Sequence, residues 1–141
     1  MFLENFQNQK LKLIGLLYTN GKKSSGDGIN FNELHNILLE KKFSNFKLVK
    51  GNVKKTIPNF IKQNPVLKIS LLHLDMDIYE PTKFTLNKFF PYIVKGGIIL
   101  IDDYNKVFGA TKATDEFINL HKKLEIKKLK FYKKPSYIVK I

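Results

Sequence analysis

Two apolar runs in this chain each end in paired carboxylates, and that pattern restricts the fold more than any other. Leu71-Leu-His-Leu-Asp-Met-Asp-Ile-Tyr-Glu-Pro81 leads into Asp75 and Asp77, and Gly96-Gly-Ile-Ile-Leu-Ile-Asp-Asp-Tyr104 leads into Asp102 and Asp103. A carboxylate buried without a partner is costly, so the acids must stand where each run leaves the core. The near-continuous apolar character of the first run predicts a parallel strand covered on both faces. In an open α/β sheet, ligands bind beyond the carboxyl ends of such strands. If the two strands are neighbours, their tips lie about 5 Å apart. Carboxylates that close raise one another's proton affinity unless a cation sits among them. Asp75, Asp102 and Asp103 are hard oxygen donors suited to octahedral Mg²⁺.

The rest of the chain alternates in a compatible way. Leu11 to Tyr18 reads as either a strand or a packed turn, and a polar, glycine-rich loop follows from Asn20 to Gly28. Asn30 with Glu33 three residues on predicts a capped helix with Phe31, Leu34, Ile37 and Leu38 on one face. Phe46 to Val49 reads as a short strand, and Thr56 to Gln63 as a helix with Pro58 in its first turn. Lys68 to Asp75 is the second strand of this series. Pro81 is expected to open the next helix, with Asp77 as its cap; Gly96-Gly97 should stop it before a strand over Gly97 to Ile101. Ala110 to Lys123 carries helical spacing. Two strands, Glu125 to Tyr132 and Ser136 to Ile141, should form an antiparallel hairpin around Lys133-Lys134-Pro135. The sum is an α/β fold with a doubly wound, mostly parallel sheet and a C-terminal antiparallel β-hairpin.

A chain of 141 residues suits one domain. The chain contains no cysteine, which excludes disulfides, thiolate nucleophiles and cysteine metal sites. No apolar run reaches the length of a membrane span, and the N-terminus lacks a secretory signal, so a cytosolic location without a membrane partner is expected. The net charge of +13 would ordinarily suggest nucleic acid. All of the basic residues are lysine, however, and none is the arginine best suited to bidentate base and phosphate contacts. Lysines solvating an ordinary surface explain the charge. His73, inside its strand, is expected to be a hydrogen-bonded core residue; His35 and His121 are expected at the surface.

Three segments together resemble the macrocin and mycinamicin O-methyltransferase family, class I enzymes that use S-adenosylmethionine (SAM) and Mg²⁺. They are His73 to Thr82, Phe90 to Tyr104, and Gly109-Ala-Thr-Lys-Ala-Thr-Asp-Glu-Phe117. Lys50-Gly-Asn-Val-Lys-Lys-Thr-Ile-Pro58 is similar to the segment after that family's third strand. The resemblance covers residues 30–141 and leaves 1–29 as an irregular N-terminal segment of a single, partial methyltransferase domain. It implies that Asp75, Asp102 and Asp103 are metal ligands, the last two following the first by 27 and 28 positions. It also implies Asp75 as the catalytic carboxylate, Gly51 and Asn52 beside the SAM adenine, and Tyr79 and Tyr104 flanking the acceptor. The implied reaction is Mg²⁺-assisted methyl transfer to a hydroxyl of a sugar-like or natural-product acceptor.

Aligned by its later motifs, the chain is expected to begin after the family's second strand, as its C-terminal portion, without the SAM glycine loop. In the family's strand order, 3-2-1-4-5-7-6, that leaves a gap or a new pairing beside the Phe46 strand. Activity would then call for a second copy or a complementing chain. Two other readings use the same residues: a non-catalytic fragment that binds a protein or a polyanion, and a different Mg²⁺-dependent α/β enzyme such as a phosphoryl-transfer protein.

Overall fold

In a computed structural model of the chain, residues 13–17 and 30–141 are described, the side chains of residues 13–17, Tyr132 and Lys133 excepted. The loop Asn20 to Gly28 lies outside the described residues. The chain gathers into two compact units, Met1–Asn52 and Val53–Ile141. No helix among the described residues is long and apolar enough to cross a membrane.

In the first unit, β1 (Leu13–Leu17) and β2 (Phe46–Lys50) form a parallel pair, joined by α1 (Phe31–Glu40). Asn30 caps α1 as expected, its Oδ1 accepting from the Glu33 amide at 2.9 Å. Strand β1 falls where the sequence left strand or packed turn open, within the stretch expected to be irregular. It supplies the new pairing beside the Phe46 strand.

The second unit holds α2 (Val53–Gln63), β3 (Ile69–Leu74), α3 (Tyr79–Phe89), β4 (Ile93–Ile101), α4 (Phe108–Leu120), β5 (Ile126–Leu129) and β6 (Tyr132–Val139). Its four-stranded sheet runs β3-β4-β6-β5: β3 and β4 are parallel, and β6 is antiparallel to both of its neighbours. The core gathers Leu72 and Leu74, Ile99 and Ile101, Ile138, Leu86, Phe89, Ala113 and Phe117. Each large side chain among them is worth roughly 1.5–3 kcal/mol of burial.

Several local expectations are corrected. Helix α2 starts at Val53, which places Pro58 inside it; Val53, Ile57 and Phe60 are buried at i, i+4 and i+7, and that apolar anchoring outweighs the proline's missing donor. Helix α3 begins at Tyr79 with Ile78 at its N-cap and no side-chain cap, so Asp77 does not cap it. Pro81 occupies the first turn, where its lack of an N–H is harmless. Gly96-Gly97 lies inside β4 and does not stop a helix. The β3–β4 register jumps there, from Ile69↔Ile93 to Leu71↔Ile98. A Cβ on Gly97 would come within 2.8 Å of the Val94 carbonyl oxygen. Strand β3 buries alternate residues: Leu72 and Leu74 are covered, while Leu71 and His73 are exposed. One face of it is covered instead of two, and His73, on the open face, is consequently not a core histidine.

The hairpin turn also moves. Leu129 pairs with Tyr132, so the reversal is made by Lys130-Phe131. Residues 133–135 lie within β6 as an irregularity before Lys128↔Ser136 resumes the ladder.

Candidate active site

Strands β3 and β4 end side by side, and the Asp102 amide donates to the Leu74 carbonyl at 3.0 Å, extending their ladder by one bond. Beyond that point the chain turns twice. After β3, the Ile78 amide donates to the Met76 carbonyl at 2.5 Å, closing a γ-turn around Asp77, whose φ is 55°. This left-handed conformation is uncommon outside glycine, asparagine and aspartate. After β4, the Lys106 and Val107 amides both donate to the Asp103 carbonyl at 3.0 Å, and Asn105 adopts φ 62° with its amide donating to Thr111 Oγ1. The two turns bring carboxylate oxygens of Asp75, Asp77 and Asp103 within 4.8 Å of one another.

This grouping differs by one residue from the expected Asp75, Asp102 and Asp103. Asp75 and Asp103 come together, joined by Asp77. Asp102 turns elsewhere, its Oδ1 lying 4.0 Å from His73 Nε2. A strand alternates its side chains, so consecutive acids at a strand end cannot both aim at one point without a turn between them. The left-handed turn brings Asp77 in, and the only sequence signal for it is the Asp-Met-Asp spacing, which leaves the turn's hand open.

The cluster is electrostatically loaded. A hydrogen bond with Asp103, then burial, then the charges of Asp103, Asp75 and Asp102 raise the Asp77 carboxyl above its ordinary 3.8. Asp103 is lowered, first by Lys134, whose Nζ donates to its Oδ1 at 2.8 Å, and then by its bond with Asp77. Lys134 is raised in turn, by Asp103 foremost. Register explains this contact: Ile101 faces Ser136, so continuing the antiparallel ladder past the end of β4 sets Lys134 opposite Asp103.

Both tyrosines expected to flank the acceptor have their hydroxyls committed to α4. Tyr79 donates to Glu116 Oε2 at 2.6 Å, and Lys83 donates to the Tyr79 oxygen at 2.7 Å and to Glu116 at 2.8 Å. Tyr104 donates to Asp115 Oδ1 at 2.8 Å, and burial followed by that bond pushes its hydroxyl up to about 12. Lys83, and after it Tyr79, hold Glu116 below its ordinary 4.5. A depressed carboxylate contributes stability that is complete above its unfolded value and lost as the pH falls through its folded one. Glu116→Gln should therefore lose less stability than the wild type when the pH is taken from neutral to below 4.5, as read from urea midpoints. Parallel acid limbs would refute the assignment.

The loops are locked to α4 at its start as well. A Cβ on Gly109 would lie 2.7 Å from the Tyr79 amide nitrogen and 2.8 Å from the Asp77 carbonyl oxygen, so only glycine allows this approach. Gly51, with φ 135°, and Asn52 follow the carboxyl end of β2 and belong to the other unit.

A parallel strand pair with acids at its carboxyl ends, closed by an antiparallel hairpin, is part of a Rossmann-like methyltransferase fold. The chain belongs to the macrocin-O-methyltransferase (TylF) family, which it matches over residues 30–129. It is 29% identical over 83 residues to demethyldecarbamoylnovobiocin O-methyltransferase of Streptomyces niveus, covering 56% of this chain and 31% of that protein. Among solved structures it is similar to apo CalS11, a TDP-rhamnose 3'-O-methyltransferase of calicheamicin biosynthesis. The TM-score there is 0.78 at 26% identity, over 94% of this chain and 60% of that one. It also shares its fold with the O-methyltransferase NovP, with a TM-score of 0.68 at 22% identity, over 78% of this chain and 44% of that one. The chain thus spans less than two thirds of the length of these relatives.

Proposed function

We propose that this chain carries the metal and acceptor half of an O-methyltransferase site, acting in the cytosol on a hydroxyl of a diffusible sugar-like or natural-product acceptor. The observation that carries the reading is the convergence of Asp75, Asp77 and Asp103 at the ends of two adjacent parallel strands, in a chain of this family. The donor set fits Mg²⁺: three carboxylates, no nitrogen or sulfur, and a mutual repulsion that raises Asp77 and that a divalent cation would relieve. Bound there, Mg²⁺ would supply Lewis acidity that lowers an acceptor hydroxyl's pKa. SAM would supply the methyl group.

The chain's own residues then have separate tasks. Asp75, exposed just past the end of β3, is the carboxylate proposed to receive the hydroxyl proton. Asp77 and Asp103 hold the cation with it. Tyr79 and Tyr104 can face an acceptor only through their rings, since α4 holds their hydroxyls. Gly51 and Asn52, in the other unit, are the residues proposed for the adenine.

Isothermal titration with MgCl₂ and with S-adenosylhomocysteine tests this. Binding of both is expected, together with a higher melting temperature in Mg²⁺ at neutral pH. Heat from neither would sink the reading, and Mg²⁺ binding without any nucleoside response would point to the other Mg²⁺-dependent chemistry.

A further inference from the structure

Lys134 stands inside the carboxylate cluster without being required by the methyl transfer. Its ammonium is 2.8 Å from Asp103 Oδ1, one of the three carboxylates that a cation would need. The two partners differ in freedom. Asp103 is 14% exposed and fixed by its turn, whereas Lys134 is 40% exposed on a flexible four-carbon stem. It also lies in the irregular stretch of β6, between the paired positions Tyr132 and Ser136, so its side chain can move while the ladder stays intact. A divalent ion entering the cluster would meet this ammonium at close range, and only the lysine has somewhere to go.

We propose that Lys134 is a built-in counter-cation, bound to Asp103 when the cluster holds no metal and displaced to solvent when a divalent ion enters. The inference rests on the metal reading above. In the metal-free protein the ammonium offsets part of the repulsion among the acids; it then competes with the incoming ion, so metal loading and the position of the Lys134 side chain are linked reciprocally.

Mn²⁺, an oxygen-seeking substitute for Mg²⁺, serves as the probe with the full chain, free ion being read by electron paramagnetic resonance. K134M should bind Mn²⁺ about tenfold more tightly than the wild type, a coupling within the usual range. K134Q, which keeps a donor without the charge, should match K134M, and K134R should stay near wild type. Lys134 in the wild type should also become more reactive toward an amine-acetylating reagent when Mn²⁺ is added, as read by peptide mass spectrometry. If the wild type binds Mn²⁺ and K134M and K134Q bind it equally or more weakly, Lys134 only positions Asp103, and the competition is overturned while the metal site stands. If none of the four proteins binds Mn²⁺, the metal site fails and the competition fails with it.

Discussion

Gly109→Ala should lower the unfolding free energy by about 2 kcal/mol, the usual size of an overpacking penalty, and weaken Mn²⁺ binding at the same time. The added methyl would meet backbone on two sides, the Tyr79 nitrogen at 2.7 Å and the Asp77 carbonyl oxygen at 2.8 Å, and neither can rotate away as a side chain could. Relief requires α4 to back off from the loop that presents Asp77, so stability and the carboxylate cluster should suffer together. Gly96→Ala is the control. It too introduces a Cβ, at φ +77° with nothing within 4 Å, so only backbone strain of about 1–2 kcal/mol applies, and Mn²⁺ affinity should hold. Urea unfolding with unchanged slope, alongside Mn²⁺ titration, separates the two. A Gly109→Ala protein with wild-type midpoint and wild-type affinity would show that the close approach is unimportant.

Asp103→Asn should reduce Mn²⁺ affinity about a hundredfold, the upper end of what removing even an outer-sphere partner can cost. It deletes one charge from the gathered three and weakens the charge-assisted hydrogen bonds that Asp103 makes with Asp77 and Lys134. Asp102→Asn should change the affinity no more than about threefold, since that carboxylate turns toward His73 and acts on the cluster only through space, screened by water. Equal losses from the two variants would restore Asp102 to the ligand set and remove the basis for placing Asp77 there. A large loss from Asp77→Asn would complete the case, because asparagine keeps the left-handed turn that aspartate adopts.

The parts of the fold that could be read from sequence were those governed by period and by local chemistry. The runs ending at Asp75 and Asp103 announce strands with acids at their carboxyl ends, while their adjacency enters only as a condition that the β3–β4 pairing meets; Asn30 with Glu33 announces the start of α1. The final pair of strands announced an antiparallel hairpin. Register and backbone hand were harder to read. The lysine-proline stretch at residues 133–135 has turn composition, yet the chain reverses at Lys130-Phe131 and carries that stretch inside β6. Lys134 reaches Asp103 only as a result of that register, and no local pattern encodes it. Asp77 reads as a cap in the sequence because it stands just before a helix; the γ-turn at φ 55° redirects it into the cluster. The resemblance implies that Tyr79 and Tyr104 flank an acceptor, but their hydroxyl partners lie 37 and 11 residues away on α4, beyond local inference.

Helix α4 receives two tyrosines on consecutive residues, Tyr104 from the second turn on Asp115 and Tyr79 from the start of α3 on Glu116, and meets the first turn again at Gly109. The acid-bearing turns are therefore not two independent hinges but one mechanical body, braced from behind by a single rod. Two large apolar side chains beside them, Ile78 at the N-cap of α3 and Phe108 at the start of α4, are exposed. Neither side chain takes part in the bracing contacts, so both can vary in size and polarity while the spacing of the carboxylates stays constant.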